Sequence, residues 1–284
     1  MPENPHDIQP LQLENVTDYH CHCDFSVDAV GSVEEYCETA VRRNLAEICF
    51  TTHYDTNHAV GYGDNFINVK GKHVKATPDN LEQYVDAVRQ AAEEFYARGL
   101  SVKLGVEFGW YEGCEESLLE LTNRYELDYL LCGVHTIDSC CFCTGKSFER
   151  NMSRYSMHEY VGRYFRQVIN AARSGLFDTI AHLGRYLHHG IAFYGTEIER
   201  AHEPHLAEMF AALIETNTSL EINTSPMRYG LKRYYPSIEI VNQAKKAGVA
   251  VSYLGSDAHR PEQVGYDFEA AAALVPFAFM HCED

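Results

Sequence analysis

Two histidines close to the amino terminus are the first residues whose type and spacing could support chemistry. His20 and His22 follow a short apolar run, 16–19, that predicts a buried strand. Side chains two positions apart on a strand point to the same face, so both imidazoles should aim at one point where the strand ends. Neutral imidazole is the commonest metal ligand, and Asp28 adds a carboxylate in the following loop. The motif indicates either a metal site or two hydrogen-bonded histidines at a strand end.

Further side chains of the metal-ligand type follow the other apolar runs that predict strands. They are His53, Glu107, His135, His182, Asp257 and His259. The carboxyl ends of the strands in a parallel barrel form one rim, and active sites are built there. Histidines scattered through a core would not all follow strand ends. The pattern therefore favours one shared metal site over separate roles in capping individual strands.

The number of candidate ligands predicts more than one metal ion. With His20, His22 and Asp28 included, the candidates number nine, whereas a zinc ion takes about four ligands. Two or three divalent ions could use them all, with Glu107 as the natural bridge between two ions. Imidazole and carboxylate ligands without a thiolate suit Zn, Mn or Fe and do not distinguish among them.

The elements that must position these side chains alternate along the chain. Seven apolar runs predict strands separated by helical patterns, which indicates a single α/β domain with a parallel sheet, one unit short of an eight-stranded barrel. Residues 1–15 are polar and predict a loose arm, and 16–284 form the domain. A capping box at Ser32 and Glu35 predicts the start of the first helix. We also expect one long helix over 198–215.

Composition excludes several classes of partner. The 284 residues include 23 Lys and Arg against 41 Asp and Glu, a formal net charge of −18. This balance disfavours a nucleic-acid polymer or an anionic membrane as a partner. No transmembrane segment or signal peptide is recognisable, so we expect a cytoplasmic protein. The ten cysteines are spread along the chain, which favours reduced thiols over a disulfide framework.

An ordered set of short motifs resembles one known superfamily. The motifs are DYHCHCDFSVD at 18–28, THYD at 52–55, GVEF at 105–108, GVH at 133–135, AHLGR at 181–185, EINTS at 221–225 and GSDAH at 255–259. As an ordered set spanning roughly 16–270 they are similar to the PHP (polymerase and histidinol phosphatase) superfamily. Within it, the stretch 221–237 most resembles the monofunctional histidinol-phosphate phosphatases.

The resemblance implies a distorted seven-stranded, TIM-like (β/α)7 barrel with a trinuclear metal centre. Carried over by motif, the three ligand sets are His20, His22, Glu107 and Asp257; Glu107, His135 and His182; and Asp28, His53 and His259. Relatives often have a histidine eight residues after the first one, where this chain has Asp28.

The implied activity is hydrolysis of a small phosphate monoester. The expected reaction converts L-histidinol phosphate to L-histidinol and phosphate, in histidine biosynthesis, by attack of metal-bound hydroxide on phosphorus. Arg185 and Arg228 are candidates for holding a phosphate oxygen through the guanidinium group. Asp257 or His259 could give a proton to the leaving alkoxide. The alternatives are a PHP-type phosphoesterase acting on a nucleotide or another small phosphoester, and a non-catalytic metal-binding protein.

Some residues permit a second interpretation. Cys140, Cys141 and Cys143 could bind a structural zinc ion with Cys114 or His158 as the fourth ligand, or could be reduced thiols in a loop. The segments 56–75 and 136–152 predict no regular structure, and a lid is one hypothesis for both. Three aromatic residues could stack on an imidazole or pack in the core or a lid: Tyr62, Phe66 and Tyr229.

Overall fold

Seven parallel strands close into a barrel with helices around it. The computed structural model describes residues 9–13, 15–57, 65–138, 140–143 and 147–274. The strands are β1 Thr17–Cys21, β2 Glu47–Tyr54, β3 Phe66–Val69, β4 Lys72–Lys75, β5 Ser101–Gly109, β6 Tyr129–Gly133, β7 Thr136–Ile137, β8 Cys140–Cys141, β9 Thr179–Ile180, β10 Ser219–Asn223 and β11 Val251–Gly255. The barrel has the order β1-β11-β10-β9-β6-β5-β2, and β3-β4 and β7-β8 form two small antiparallel sheets. The predicted fold is confirmed.

Helices connect the barrel strands. They are α1 Val33–Arg42, α2 Pro78–Tyr96, α3 Glu115–Arg124, α4 Ser147–Met152, α5 Met157–Ser174, α6 Leu187–Tyr194, α7 Leu206–Thr216, α8 Ser225–Arg228, α9 Ile238–Ala247 and α10 Phe268–Leu274. Short 3-10 helices cover Thr196–Arg200, Glu203–His205 and Pro261–Gln263. No helix in the described part of the chain has the length and apolar character needed to cross a membrane.

Local sequence explains where several helices begin. The hydroxyl of Ser32 accepts a hydrogen bond from the Glu35 backbone N–H, and the Glu35 carboxylate accepts one from the Ser32 backbone N–H. This is the predicted capping box, and Ser156 and Glu159 form another at the start of α5. Pro78 occupies the first position of α2, where the missing N–H costs nothing.

Three segments differ from the sequence prediction. The prediction of one long helix over 198–215 was wrong. Pro204 lies in a short 3-10 helix, and α7 begins only at Leu206. Proline lacks the backbone N–H that a continuous helix needs at this position. The segment 136–152 contains β7, β8 and α4. The described part of 56–75 forms the β3–β4 hairpin. Residues 1–8 and 14 of the predicted arm lie outside the described residues, while Leu11 is buried and its N–H donates to the Arg43 carbonyl.

Several barrel strands contribute side chains to a small buried cluster. It consists of Tyr19, Cys49, Tyr129, Leu131 and Ala181, with Tyr253 packed against it. Cys49 and His53 are four residues apart on β2 and therefore share a face of the strand. In the parallel register of β2 and β5, His53 lies beside Glu107. The cluster thus lies on strands whose carboxyl ends carry candidate ligands.

Candidate metal centre

The structure brings all nine candidate metal ligands to one end of the barrel. His20, His53 and Glu107 lie on β1, β2 and β5. The others follow strand ends or lie in the loops beyond them: His22, Asp28, His135, His182, Asp257 and His259. Burial of the centre is almost complete on the strand side, because His20, His22 and Glu107 are at most 1% exposed.

Glu107 is the centre of the arrangement. Its Oε2 atom lies 2.9 Å from Nδ1 of His53, 3.4 Å from Nε2 of His20 and 3.5 Å from Nε2 of His22. Its Oε1 atom lies 2.8 Å from Nε2 of His182 and 3.1 Å from Nε2 of His135. The two carboxylate oxygens therefore face two separate groups of imidazoles, which is the geometry a bridging ligand needs.

A second carboxylate, that of Asp257, faces His20 on β1 and His22 just beyond it. Its Oδ1 atom lies 3.6 Å from Nε2 of His20 and 3.5 Å from Nε2 of His22. Its Oδ2 atom accepts a hydrogen bond from the Ser225 hydroxyl at 3.1 Å. Asp257 has a φ of 54°, a left-handed backbone conformation that a non-glycine residue adopts only at some cost.

Asp28 reaches the group from the outer side. Its Oδ2 atom lies 3.3 Å from Nε2 of His259 and 3.9 Å from Nε2 of His53. The rings of His22 and His53 stack at a centroid distance of 4.1 Å, and His259 packs against His22 at 4.4 Å. The Asp28 side chain is 45% exposed, so this part of the centre is open to solvent.

Three groups of atoms have spacings that could hold a metal ion. The ligand atoms within each group lie within 4.8 Å of one another: His22, His53 and His259; His20, His22 and Glu107; and Glu107, His135 and His182. Nε2 of His20, Nε2 of His22 and Oε2 of Glu107 are buried and have no hydrogen-bond partner in the described part of the chain. Buried polar atoms without partners are rare and costly. These residues fit divalent ions that accept imidazole and carboxylate ligands.

Electrostatics keep the carboxylates ionised. Burial alone would raise the pKa of Glu107, but the imidazoles of His135, His20 and His53 hold that pKa well below its ordinary value. The pKa of Asp257 is likewise held down, despite burial, mainly by the nearby imidazoles of His20 and His22. Both carboxylates are therefore available as anionic ligands at neutral pH.

The histidines divide into two types. Burial, with smaller contributions from His53 and His259, lowers the pKa of His22 well below its ordinary value, so this imidazole is neutral. Burial also opposes protonation of His20, but the charges of Glu221, Asp257 and Glu107 raise its pKa well above the ordinary value. The pKa of His259 is raised as well, against burial, by Asp28 and Asp257. A metal ion must displace protons from His20 and His259.

A glycine at the end of β6 leaves room for these side chains. A Cβ atom on Gly133 would lie 2.5 Å from Oε1 of Glu107 and 2.5 Å from Cε1 of His135. Such distances are too short for any side chain, so the crowding of ligands above β6 requires glycine here.

The centre opens into a cavity of about 340 Å³, a size that suits a small ligand. Seven of the nine candidate ligands line it: Asp28, His53, Glu107, His135, His182, Asp257 and His259. Five further residues complete the lining: Cys143, Arg185, Tyr229, Arg260 and Gln263. Tyr229 is 57% exposed, at the mouth. Phe66 lies on the β3–β4 hairpin, and Tyr62 lies outside the described residues.

The two arginines predicted to bind phosphate have different surroundings. Arg185 lines the cavity, and its guanidinium donates a hydrogen bond to the Cys143 carbonyl at 3.4 Å. Arg228 donates to the carbonyls of Ser256 and Asp257, the second bond at 2.7 Å. Arg185 thus faces the open space, whereas Arg228 braces the loop that carries Asp257.

The cysteine-rich segment is packed beside the cavity. Cys141 and Cys143 are buried, and the Cys143 N–H donates to Sγ of Cys141 at 3.4 Å. Among the described residues, every group with metal-ligand spacing consists of histidine and glutamate alone, without a thiolate. The structure therefore gives no support to a structural zinc site formed by Cys140, Cys141 and Cys143.

Glu221 was not among the nine predicted metal ligands, but it proves to be part of the site. Glu221 lies at the centre of β10, is 1% exposed, and contacts both His20 and His182. Its residue type and its place before a strand end resemble those of the candidate ligands. Its two-residue spacing from Asn223, on the same face of β10, is the signal that could have identified it.

Comparison with known proteins identifies relatives along nearly the full chain. A probable histidinol-phosphatase of Deinococcus radiodurans is 26% identical over 269 residues, which cover 93% of this chain and 94% of the relative. A histidinol-phosphatase of Lactococcus lactis is 25% identical over 269 residues, covering 93% and 91%.

Solved structures have the same fold. The histidinol phosphate phosphatase of Lactococcus lactis, crystallised with zinc, L-histidinol and phosphate, superimposes with a TM-score of 0.72 at 19% identity and covers 95% of each chain. A putative histidinol phosphatase of Listeria monocytogenes gives a TM-score of 0.69 at 16% identity and covers 89% of this chain and 99% of its own.

A protein-family model also matches most of the chain. The PHP domain model matches residues 18–225, a range that contains His20, Glu107, His182 and Glu221. Because the match extends over well more than half of the chain, this protein belongs to the PHP domain family.

Proposed function

We propose that this protein is a metal-dependent phosphoric monoester hydrolase that converts L-histidinol phosphate to L-histidinol and phosphate. The observation that carries the proposal is the position of Glu107, whose two oxygens face two groups of imidazoles within one cavity. Relatives along nearly the whole chain are histidinol-phosphatases, which supports this substrate over other phosphoesters.

We assign the metal ligands to the nine residues gathered at the rim. One ion would be held by His20, His22, Glu107 and Asp257, a second by Glu107, His135 and His182, and a third by Asp28, His53 and His259. The short distances from His22 to His53 and His259 support a third position close to the first. Zinc in the Lactococcus lactis structure supports zinc as one of the ions, with Mn and Fe compatible with the same ligands. When bound, such ions act as Lewis acids toward phosphoryl oxygens and lower the pKa of water.

The remaining residues of the cavity would bind and orient the substrate. Arg185 presents a fixed positive charge to the cavity and would pair with a phosphoryl oxygen. Arg228 remains a candidate for phosphate binding through the guanidinium N–H groups that do not donate to the Ser256 and Asp257 carbonyls. Tyr229, at the mouth, would stack on the imidazole of the substrate.

The leaving alkoxide requires a proton. Burial alone would raise the pKa of Asp257, but His20 and His22 hold it well below its ordinary value, so this carboxylate is a weak proton donor. His259 lines the same cavity, and its raised pKa favours the protonated ring. Without an ion at the third position, these directions favour His259 over Asp257 as the source of the proton. An ion bound there displaces the proton of His259, and the ring then cannot supply it.

The proposal is tested by phosphate release from a substrate panel. The purified protein, loaded separately with Zn²⁺ and Mn²⁺, would be assayed with L-histidinol phosphate, nucleoside monophosphates, sugar phosphates and an aryl phosphate. We expect the highest kcat/KM with L-histidinol phosphate. A higher value with a nucleotide would assign a different substrate to the same site, and no release from any ester would indicate a non-catalytic metal-binding protein.

A further inference from the structure

The carboxylate of Glu221 contacts histidines from two different groups of the metal centre. Its oxygens lie 3.1 and 3.0 Å from Nδ1 of His20. Its Oε1 atom also accepts a hydrogen bond from the backbone N–H of His182 at 2.6 Å and from Nδ2 of Asn223 at 2.9 Å. Glu221 therefore connects β1, β9 and β10 directly beneath the centre.

We propose that Glu221 is a positioning residue of the metal centre, which holds the His20 imidazole and the His182 main chain so that both rings face Glu107. The proposal rests on the metal centre of the proposed function. With Glu221 behind them, Nε2 of His20 lies 3.4 Å from Oε2 of Glu107 and Nε2 of His182 lies 2.8 Å from Oε1. One buried carboxylate thus orients a ligand on each side of the bridging glutamate.

The chemistry of imidazole explains why a carboxylate is needed behind His20. A neutral imidazole carries one N–H, and the nitrogen without it binds the metal. A hydrogen-bond acceptor at Nδ1 places the proton there and leaves the Nε2 lone pair directed at the ion. Nε2 of His20 is buried and lacks a hydrogen-bond partner among the described residues, as expected for an atom reserved for a metal.

The backbone conformation of His182 is a second, independent observation that supports a positioning role for Glu221. His182 has a φ of 31°, which lies outside the regions that L-residues ordinarily occupy. Such a conformation persists only where surrounding groups enforce it. The 2.6 Å bond from its N–H to Glu221 is such a constraint, and this conformation directs the ring toward Glu107.

The neighbouring strand is shaped around this carboxylate. A Cβ atom on Gly255 of β11 would lie 2.3 Å from Oε2 of Glu221 and 2.7 Å from Cβ of His20. The missing side chain at Gly255 therefore provides the space in which Glu221 meets His20. Since both Glu221 oxygens contact protein groups and Glu221 is absent from the groups with ion-binding spacing, it supports ligands without being one.

Zinc affinity tests this role independently of catalysis. Glu221→Gln keeps the side-chain shape and removes the charge, and Glu47→Gln is the matched control. Glu47 is also a buried glutamate on a barrel strand, bonded to Tyr19 and Ser101 at the other end of β2 from His53. Metal-free proteins would be titrated with Zn²⁺ in competition with a chromophoric chelator. Loss of an outer partner of a metal-bound histidine lowers affinity by roughly 10–100-fold, and we expect this loss in Glu221→Gln alone.

The outcomes separate this inference from the proposed function. Equal Zn²⁺ affinity in the wild-type protein and Glu221→Gln, or equal losses in Glu221→Gln and Glu47→Gln, would overturn the positioning role while leaving the metal centre intact. A wild-type protein that binds no Zn²⁺ would overturn the metal centre itself. If circular dichroism shows that Glu221→Gln does not fold, Glu221→Asp replaces it. This shorter carboxylate keeps the charge but withdraws from His20, and unchanged affinity there would equally reject the proposal.

Discussion

At the scale of single residues, function depends on how Glu107 is surrounded. Five imidazole nitrogens lie within 3.5 Å of its two oxygens. Five protonated rings in so small a volume would repel one another strongly. The arrangement is therefore consistent with neutral imidazoles that bind metal cations.

Replacing His135 with alanine should abolish catalysis without unfolding the protein. His135 lies on the Oε1 side of Glu107, where the position that we assign to the second ion has few ligands. Loss of several kcal/mol of transition-state stabilisation corresponds to a decrease of about 100-fold or more in kcat/KM. His205→Ala is the control, because His205 stacks on Phe165 away from the centre. Near-wild-type phosphate release by His135→Ala, measured with Zn²⁺ or Mn²⁺, would remove His135 from the centre.

Replacing Asp28 with asparagine should affect only one ion. Asp28 contacts His259 and His53, the two other residues that we assign to the third ion. Removing its charge weakens the outermost position, so elemental analysis should find about one ion fewer per chain, with the other ions retained. An unchanged metal content would show that Asp28 is not a ligand.

Zinc affinity should fall as the pH is lowered. Because the pKa values of His20 and His259 are raised, both rings stay protonated in the metal-free protein at pH values above about 6.5, the ordinary pKa of histidine. The ion pairs of the protonated rings stabilise the metal-free fold fully below about pH 6.5. They are lost as the pH rises through the raised pKa values of the two histidines. Because zinc must displace these protons, its affinity should rise over the same interval. Chelator competition at several pH values measures this slope, and a flat profile would contradict the assignment.

At the scale of elements, the barrel strands were predictable because each is a short apolar run. Glu47–Tyr54 and Ser101–Gly109 extend further than their apolar runs suggest, since their polar ends carry His53 and Glu107 into the centre. The breaks around Pro204 and the helix Leu187–Tyr194 were missed. Tertiary packing and a proline determine the structure of these segments, and the hydrophobic periodicity of the sequence predicts neither effect.

Two glycine substitutions should have opposite effects. In Gly133→Ala the new methyl group would collide with Glu107 and His135 at 2.5 Å, so we expect loss of metal content and activity. In Gly162→Ala, within α5, the methyl group would meet His205 at an ordinary 3.5 Å. Alanine is favoured over glycine inside a helix by about 0.5–1 kcal/mol. Thermal denaturation and phosphate release should therefore show a more stable, fully active Gly162→Ala, and an active Gly133→Ala would mean that the rim tolerates displacement.

At the scale of the whole molecule, the meeting of distant residues follows from topology. Parallel strands deliver their carboxyl ends to one rim, so the order of motifs in the sequence sufficed to predict that His20, Glu107 and Asp257 converge. The contacts of Glu221 and Arg228 were not predictable, because they depend on distances between β10 and its neighbours. Sequence patterns specify which face a side chain occupies but not which atom it touches.

The central claim is that the barrel rim holds a cluster of cations, and anomalous diffraction tests it most directly. Crystals grown with Zn²⁺ would be measured on both sides of the zinc absorption edge. We predict peaks beside both oxygens of Glu107, among His20, His22 and His53 on one side and between His135 and His182 on the other. An anomalous map with no peak within bonding distance of Glu107 would contradict the account.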